Sequence, residues 1–510
     1  MSARGLNHVM AHRPHHNLLK RSVGRLLLAA LVVGLLAVGF HNIGWATPAG
    51  PWRVGTDPTF PPFEFRNTAT NQISGFDIEL MEAIGEQAGH PIEWVPLPFD
   101  GLIPALQARS VDMAISAMTI TPERARAIDF SRPYFKAGQA FVVRDGETNF
   151  KSLAELKGRR IAVQIGTTGA IEAGKIPSAR VSSFDSTPLA LLELANGNAD
   201  AVVSDVPAIL YAIDQAKLTG LHISGEHLST EYYGIALPTN SPITGAVSQG
   251  LDALIKSGRY GELYRQWFAA EPPNLPEQAP ALKVASSPLA GFDLKVLFAN
   301  LLKGAAITLM LTALSFSFGL IGGTALAVLL QTSWRFAHLA CRIYIDFFRG
   351  TPMLVQLFLI YFGLPALIQS LELPFSINRL AAAVAALSLN VAAYLAETLR
   401  SGIESIDRGQ WEAADALALS PIERMRFVIA PQALRRVLPP LANEFITLIK
   451  DTSLAAVIGF DELFRQGQLI VATSYRAFEV YIAVALVYLL MTTTASLLFK
   501  RLEARWQLPT

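Results

Sequence analysis

The chain has 510 residues, of which 51% are hydrophobic and 16% charged, and its net charge is +1 at neutral pH. This length is too great for one ordinary domain, and the near-neutral charge excludes a broadly basic surface of the kind that binds nucleic acid. A single cysteine, Cys341, excludes an internal disulfide framework and is expected to be a buried thiol.

The first 46 residues have the pattern of an export signal. A basic leader precedes the apolar run LLLAALVVGLLAVGF, and the small residues of GWATPA follow it. The segment 1–46 is therefore predicted to be a signal peptide or, if it is retained, a signal anchor. In either case the chain from about residue 47 lies outside the cytoplasm.

Residues 50–270 alternate β-rich runs such as WRVGTD and RRIAVQIG with helical stretches such as GFDIELMEAIGEQAG. Alternating strands and helices predict an α/β fold with mainly parallel strands, and a segment of this length fits two lobes. The following segment, 271–291, is rich in proline and alanine and has no periodicity, so it is predicted to be a semi-rigid linker.

Residues 292–505 contain about five apolar segments, each near the ~20 residues that a bilayer requires. These segments are 301–330, 343–369, 379–399, 440–460 and 479–499. Arginine and lysine are concentrated in the parts that this count places inside the cell, so the charged insert 408–440 is predicted to be cytoplasmic. It is expected to form two short helices with a turn near LALSP, because Ser420-Pro421 suits a helix start.

Five ordered motifs in the first half of the chain carry a specific resemblance. They are GTDPTFPPFEF, GFDIELMEAIG, FDGLIPALQARSVDMAISAMTITPERARAIDFSRPY, QIGTTG and SDVPAILY. Together they resemble the polar-amino-acid periplasmic binding proteins, most closely the glutamine-binding type, over essentially all of 52–270. The resemblance implies a two-lobed periplasmic binding protein type II domain that closes on a free amino acid, with hinges near 134–140 and 230–236.

The resemblance also implies which residues hold the two charged ends of the ligand. Arg124 would bind the carboxylate, since a guanidinium pairs with a carboxylate through two hydrogen bonds. Thr168 would add a hydroxyl or N–H to the carboxylate, and Asp205 would take the ammonium. Thr119, with backbone N–H groups near Ser116 and Ala117, would supply further donors. Taken alone, Arg124 could equally be a surface residue paired with Glu123 or Asp129.

Three further residues would contact the ligand side chain. Phe60 and Phe99 would sandwich its aliphatic part and Asp57 would reach its end, although the phenylalanines could be plain core and Asp57 a turn residue. The glutamine-binding proteins place a lysine where this chain has Gln164, which leaves the ligand open. Asp57 suits an amide or a cationic side chain and disfavours an acidic one. Glutamine is the leading candidate, with basic amino acids or histidine next.

The second half of the chain carries another resemblance. Its motifs are GAAITLMLTALSF, DFFRGTPMLVQLFLIYFGLP, LNVAAYLAETLRSGI, ANEFITLIKDTSLAAVIG and the insert 408–440. Over about 292–505 the chain resembles the permease subunits of ABC importers for polar amino acids, the His/Gln type. The resemblance implies an all-α transmembrane domain of type I (MetI-like) architecture with about five helices.

Within this resemblance the insert 408–440 corresponds to the loop that couples the permease to its ATPase. Glu412, Ala413 and Ala414 match the start of the coupling motif and Pro431 matches its end, whereas Ala418 stands where glycine is usual. The turn at Ala418 therefore either stays right-handed helical or joins the two helices at a different angle. The alternative for the whole insert is a cytoplasmic helical hairpin with a solvated charged face.

The fourth apolar segment carries the ionisable residues Glu444, Lys450 and Asp451 together with Thr447. Ionisable residues near the middle of a bilayer are costly and are expected to face protein or a water-filled cavity. One hypothesis is that they border the substrate path. The other is a buried ion pair that fixes helix packing.

The sequence contains no G-x-x-x-x-G-K-[ST] phosphate loop, so the chain is expected not to be an enzyme. The expected partners are an L-amino acid, a separate cytoplasmic ABC ATPase and membrane lipid, with no cofactor, metal or nucleic acid. One coupling loop per chain, against two ATPases in such importers, favours a homodimer. The expected location is the bacterial inner membrane, with the binding domain on the periplasmic side. The alternative function is an amino-acid-gated receptor or channel built on the same binding fold.

Overall fold

The computed structural model describes most of the chain from residue 50 onwards. The described residues are 50–506 apart from 68, 148–149, 151, 215–219, 225–228, 279–292, 333, 370 and 372–376. The predicted signal segment 1–46 and most of the predicted linker 271–291 lie outside the described residues. In residues 271–278, which are described, the chain forms neither helix nor strand.

A five-stranded sheet forms the centre of the first lobe, called lobe 1. Its strands, in spatial order, are Ile92–Pro96, Trp52–Thr56, Met113–Ala114, Glu231–Leu237 and Asp129–Ala137. The first three are parallel, and Glu231–Leu237 runs antiparallel to both of its neighbours. A small three-stranded antiparallel sheet of Thr59–Phe60, Glu64–Arg66 and Ile73–Ser74 lies beside it.

Lobe 1 is held together by an aromatic core. Phe63, Phe76, Phe135 and Tyr233 are almost fully buried, and the rings of Phe63 and Phe135 lie 4.9 Å apart in an edge-to-face arrangement. Each buried side chain of this size contributes roughly 1.5–3 kcal/mol to stability. The helices of lobe 1 are Phe76–Ala88, Phe99–Gln107, Pro122–Ala125, Thr244–Ser257 and Arg259–Phe268.

A second five-stranded sheet forms the centre of lobe 2. Its strands, in spatial order, are Arg180–Phe184, Arg160–Gln164, Ala201–Asp205, Gln139–Arg144 and Leu221–Ser224. The first three are parallel, and Gln139–Arg144 runs antiparallel to both of its neighbours. The helices of this lobe are the 3₁₀ turn Leu153–Leu156, Thr168–Gly174, Thr187–Ala195 and Val206–Asp214. The two-lobed α/β fold is therefore confirmed.

The chain passes from lobe 1 to lobe 2 at Gly138, between strands Asp129–Ala137 and Gln139–Arg144. It returns to lobe 1 before strand Glu231–Leu237, which pairs with Asp129–Ala137. Both crossings therefore lie side by side at the back of the cleft between the lobes.

The remainder of the described chain is helical, as predicted. The α-helices are Leu294–Leu329, Arg335–Gly350, Met353–Phe358, Leu364–Gln369, Arg379–Glu404, Arg408–Ala416, Pro421–Glu423, Ala430–Asp451, Leu463–Ser474 and Ala477–Trp506. Two π-helical stretches, Leu359–Gly363 and Arg424–Ile429, and one 3₁₀ helix, Thr452–Ile458, lie between them. Cys341 is buried, as expected.

Three of these described helices are long and apolar enough to cross a bilayer, namely Leu294–Leu329, Arg379–Glu404 and Ala477–Arg505. The pair Arg335–Gly350 and Met353–Ile368 makes a fourth only as a broken span, because it bends by 109°. The described residues thus give three or four spans by length and composition, not the five predicted. The predicted segment 440–460 is not among these candidate spans, because it is divided between two helices and carries several charges.

Candidate functional site

A cavity of about 310 Å³, measured with its solvent-open part, lies in the cleft between the two lobes. The structure brings all ten predicted binding residues to its wall, where two further residues, Glu64 and Thr167, join them. The ten are Asp57, Phe60, Phe99, Ser116, Ala117, Thr119, Arg124, Gln164, Thr168 and Asp205.

Arg124 lies in the middle of this cavity wall and is 2% exposed. It sits in the short helix Pro122–Ala125, whose start is capped by the hydroxyl of Thr121. Its guanidinium donates to the Thr119 carbonyl at 2.7 Å and to the Gly166 carbonyl at 2.9 Å. Because Thr119 belongs to lobe 1 and Gly166 to lobe 2, Arg124 joins the two lobes.

The alternative for Arg124, a surface ion pair with Glu123 or Asp129, does not hold. Within the described residues its hydrogen bonds go to carbonyl oxygens, and its guanidinium carbon lies 5.3 Å from the centre of the Phe99 ring. Phe99 is thereby in contact with a charged group of the cavity as well as with the apolar core of lobe 1.

Asp57 directly follows strand Trp52–Thr56 at one end of the cavity. Its carboxylate accepts hydrogen bonds from the Thr59 hydroxyl at 2.8 Å, the Phe99 N–H at 3.2 Å and the Gln164 amide at 3.0 Å. Burial raises the pKa of Asp57 to about 6, against the lowering effect of these donors. The bond from Gln164 crosses the cleft, and its amide N–H₂ is the kind of donor that a ligand amide or guanidinium offers.

Gln164 is fixed by lobe 2 on its other side. Its amide oxygen accepts from the Thr187 hydroxyl at 2.9 Å, and its N–H₂ also reaches the Asp185 carbonyl at 3.4 Å. A glutamine therefore fits where the resemblance predicts a lysine, because its amide donates to Asp57 and at the same time accepts from Thr187.

Asp205 ends strand Ala201–Asp205 and faces the cavity from lobe 2. It accepts a hydrogen bond of 2.5 Å from the hydroxyl of Tyr233. Burial, followed by the nearby Glu231 carboxylate, raises the pKa of Asp205 to about 7, while Arg124 acts in the opposite direction. A cationic group placed here would offset the cost of burying these acidic side chains.

Glu231 is a polar residue of the cleft that the sequence analysis did not single out. Its Oε2 accepts from the Thr119 hydroxyl at 2.6 Å and from the Thr168 hydroxyl at 2.9 Å. Since Glu231 starts the returning strand Glu231–Leu237, one carboxylate joins lobe 1, lobe 2 and the crossing between them. One sign in the sequence indicates that Glu231 lies at the cleft: it begins EYYGIA, which falls in the predicted second hinge.

The backbone at Ala117 differs from the prediction. Its N–H donates to Asp77 Oδ2 at 2.8 Å, and Asp77 also accepts from the Tyr134 hydroxyl at 2.6 Å. The Ser116 hydroxyl donates to Glu64 at 2.8 Å and accepts from the Asp57 N–H. Ala117 thus lines the cavity while its N–H is engaged in a buried network beneath it.

The insert 408–440 forms helix Arg408–Ala416, a turn, and a second helical run that begins at Pro421. Ser420 and Glu423 form a reciprocal capping box at that start. Ala418 has φ of +52°, so of the two alternatives left open the right-handed turn does not hold. Such a conformation costs an alanine roughly 1–2 kcal/mol.

The coupling-motif residues occupy the first of these two helices and the start of the next. Ala414 is buried, while Glu412 is mostly exposed and pairs with Arg408 at 3.5 Å. Large apolar side chains are also exposed on this insert, namely Leu417, Ile422 and Phe427 at 74%, 78% and 64%. Ala413 belongs to helix Arg408–Ala416, and Pro431 to helix Ala430–Asp451.

The four residues of the predicted path all lie on helix Ala430–Asp451. Glu444, Thr447 and Asp451 are half-buried, whereas Lys450 is exposed on a different face of the helix. The structure brings the first three together and not the fourth. The described residues contain no ion pair within 4.0 Å that involves these charges, so the buried-ion-pair alternative lacks its contact.

The cleft between the two α/β lobes holds a buried guanidinium and a buried carboxylate, which is typical of a solute-binding domain. The apolar helices that follow this domain in the chain are typical of a membrane permease. Residues 52–270 match the bacterial extracellular solute-binding proteins, family 3, and residues 319–508 match the binding-protein-dependent transport system inner membrane component. The chain belongs to the amino-acid permeases of binding-protein-dependent ABC transport systems and carries its solute-binding domain on the same polypeptide.

Two permeases illustrate the likeness of the second half. The glutamine transport system permease protein GlnP of Escherichia coli (strain K12) is 44% identical over 211 residues, which are 41% of this chain and 93% of GlnP. The arginine transport system permease protein ArtQ of Bacillus subtilis (strain 168) is 38% identical over 205 residues, 40% of this chain and 91% of ArtQ.

Solved structures illustrate the likeness of the first half. An ancestral arginine-binding protein bound to arginine is 42% identical and covers 44% of this chain and 100% of its own, with a TM-score of 0.42. The same kind of ancestral protein bound to glutamine has equal identity and coverage and a TM-score of 0.43.

Proposed function

We propose that the chain captures a polar L-amino acid outside the bacterial inner membrane and passes it through its own permease domain. ATP hydrolysis in a separate cytoplasmic subunit drives the transfer. The observation that carries the proposal is the cavity between the lobes whose wall includes both Arg124 and Asp205, since these two side chains suit the opposite charges of a zwitterion. In this proposal Arg124, with Thr119 and Thr168, binds the ligand carboxylate.

The ligand side chain lies towards Asp57 and Gln164 in this proposal. A carboxylate beside an amide suits an amide or a cationic side chain and repels an acidic one. The relatives named above are glutamine and arginine transport permeases, and we carry these two amino acids over as the leading ligands, with histidine next.

The proposed domain division is 50–270 for binding, 271–291 for the linker and 292–505 for the permease, with the hinges near 134–140 and 230–236. One contact supports the proposed side of the membrane: helix Leu463–Ser474, in the connection between the predicted segments 440–460 and 479–499, packs on the binding domain. The insert 408–440 would then face the cytoplasm.

The insert is the proposed docking site of the ATPase, and its exposed apolar side chains Leu417, Ile422 and Phe427 support this. Apolar groups held on a charged, capped hairpin are suited to a groove on a partner protein. Because each chain has one such insert, two chains would form the transporter.

The test is calorimetric titration of the purified full-length protein with glutamine, arginine, histidine, glutamate and leucine. We expect binding of glutamine or a basic amino acid, and weaker binding in Asp205→Asn. The control variant is Glu172→Gln, at an exposed ion pair with Lys175 in the same lobe. Absence of binding to every amino acid, or preference for glutamate, would overturn the proposal.

A further inference from the structure

The permease helix Leu463–Ser474, called the docking helix, touches both lobes of the binding domain. Its Arg465 is fully buried and donates to Asp185 Oδ1 at 2.7 Å and to the Ser183 carbonyl, both in lobe 2. The same helix packs against helix Phe99–Gln107 of lobe 1, and Tyr475 at its end packs on the apolar cluster of that lobe. The docking helix therefore spans the seam where the lobes meet.

The seam is formed by direct contact between the lobes. A side-chain carbon placed on Gly166 of lobe 2 would lie 3.4 Å from Asp100 and 3.6 Å from Phe99, both in lobe 1. The backbone of Gly166 also accepts from Arg124, which reaches it from lobe 1. This arrangement exists only with the cleft closed, since it depends on atoms from both lobes.

A short chain of contacts leads from the ligand cavity to Arg465. Gln164 donates to Asp57 across the cleft and to the carbonyl of Asp185. The side chain of Asp185 in turn accepts from Arg465. One residue of lobe 2 thus separates the wall of the cavity from a charged side chain of the permease.

Lobe 2 has a second attachment to the permease, formed by helices other than the docking helix. Glu193, on helix Thr187–Ala195, accepts from the Tyr361 hydroxyl at 2.5 Å, and Asn198 donates to the carbonyl of Ile377. Apolar side chains of the same helix share a buried cluster with permease residues such as Leu357. Lobe 2 is therefore the fixed base, and lobe 1 is the part free to swing about the two crossings.

The charged residues at the seam also fit a fixed lobe 2 and a moving lobe 1. Burial raises the pKa of Asp100 to about 6, and Arg465 acts against that rise whereas Asp185 adds to it. When lobe 1 closes, it brings the Asp100 carboxylate towards Asp185, and the positive charge of Arg465 offsets their repulsion. A buried guanidinium without such partners would be strongly unfavourable.

We propose that Arg465 is a closure sensor: a permease residue that pairs with Asp185 of lobe 2 and whose helix packs on helix Phe99–Gln107 of lobe 1 only when lobe 1 has closed on its ligand. The inference rests on the proposed function, because it takes an amino acid as the cause of closure. Ligand binding closes the cleft and so favours the Arg465 contacts. By thermodynamic reciprocity these contacts raise the affinity for the ligand by the same factor. Arg465 is a positioning residue and does not touch the ligand.

The experiment measures the affinity of the full-length protein for L-glutamine and L-arginine by calorimetry at pH 7.5. We expect Arg465→Gln to weaken binding within the roughly 5–150-fold range of such couplings. Asp100→Asn alone should weaken binding, but in the Arg465→Gln background it should restore part of the loss, because it removes the repulsion from Asp185. A merely structural arginine would give no such rescue.

The control is Arg400→Gln, since the partners of Arg400, Glu397 and Glu404, lie on its own helix. Unchanged affinity in Arg465→Gln, or additive effects of the two substitutions in the double variant, overturns the inference. Ligand binding by the wild type still upholds the proposed function in that case. A wild type that binds no amino acid refutes the proposed function instead. If Arg465→Gln fails to fold, Asp185→Asn replaces it, since it removes the side-chain partner of Arg465 while the backbone bond from Gln164 survives. Weakened binding in Asp185→Asn is then expected, and unchanged affinity overturns the inference.

Discussion

Replacing Arg124 by glutamine removes the guanidinium that lies between the two lobes. The substitution keeps two amide donors and much of the side-chain volume, but it removes the positive charge that a ligand carboxylate requires. Arg124→Lys keeps the charge and removes the planar fork through which a guanidinium makes two parallel hydrogen bonds. The two variants therefore separate charge from geometry.

The size of the effect follows from the contacts of Arg124. Two charge-assisted hydrogen bonds to a carboxylate contribute roughly 1.5–3 kcal/mol each. Part of this is offset because the guanidinium already donates at 2.7 and 2.9 Å to the carbonyls of Thr119 and Gly166. The lower end, about 3 kcal/mol, corresponds to a roughly 10²-fold loss of affinity for Arg124→Gln. Arg124→Lys should fall between this variant and the wild type.

The assay is calorimetric titration of the full-length variants with glutamine and arginine, with thermal unfolding as a check on folding. Arg126→Gln is the matched control, because Arg126 caps the same short helix and its side chain is exposed. Affinity of Arg124→Gln within twofold of the wild type would refute the assignment. An equal loss in Arg126→Gln would show that the effect is not specific to the cavity.

Four further predictions concern specificity, pH, coupling and transport. Asp57→Asn should weaken arginine binding at least about tenfold more than glutamine binding, because it removes an anion but keeps an amide acceptor; equal losses in calorimetry would contradict this. The pKa of Asp205 is raised to about 7, so affinity should rise between pH 6 and 8 as this carboxyl ionises to meet the ligand ammonium, and the slope should flatten in Asp205→Asn; a flat wild-type profile would contradict it. Ala418→Gly should keep uptake and raise the unfolding temperature slightly, because relief of roughly 1–2 kcal/mol of left-handed strain outweighs ~0.4–1 kcal/mol of added chain entropy, whereas Ala418→Val should lower it; a reversed order would count against the strain. Asp451→Asn should lower tracer uptake while the protein assembles normally, and unchanged uptake would remove Asp451 from the path.

The wall of the cavity could be predicted from the sequence because its residues lie in ordered motifs. Arg124 and Asp57 each follow recognisable segments, and all ten predicted residues meet at one cavity. Their hydrogen bonds could not be predicted in the same way. The N–H of Ala117 is engaged by Asp77, and the hydroxyls of Thr119 and Thr168 by Glu231, which depends on how the hinge strand pairs in space.

Arg465 shows most clearly what the sequence left hidden. In the sequence Arg465 only follows Asp461 and Glu462 in the connection between two apolar segments, and no motif marks it. In the structure it is buried, and its partner Asp185 lies 280 positions away in lobe 2. No periodicity or motif links two sites so distant, because the contact is created by docking of one folded domain on another.

The number of spans that length and composition give in the described residues, three or four, is lower than the predicted five for a different reason. The prediction counted segments by apolar length alone. It did not foresee the bend of 109° after Gly350, and it gave no weight to the charges of helix Ala430–Asp451. By contrast, the turn and second helix start of the insert 408–440 follow local rules and were predicted correctly. Ser420 and Glu423 form the capping box that starts this helix.

The most direct measurement is the accumulation of radiolabelled glutamine and arginine in proteoliposomes that contain the full-length chain and its ATPase subunit. We predict accumulation that requires ATP on the side of the insert 408–440, is competed by the unlabelled amino acid and is abolished by Arg124→Gln. Accumulation that does not require ATP, or an ion current on addition of the amino acid without its uptake, would contradict the account and favour a gated receptor or channel.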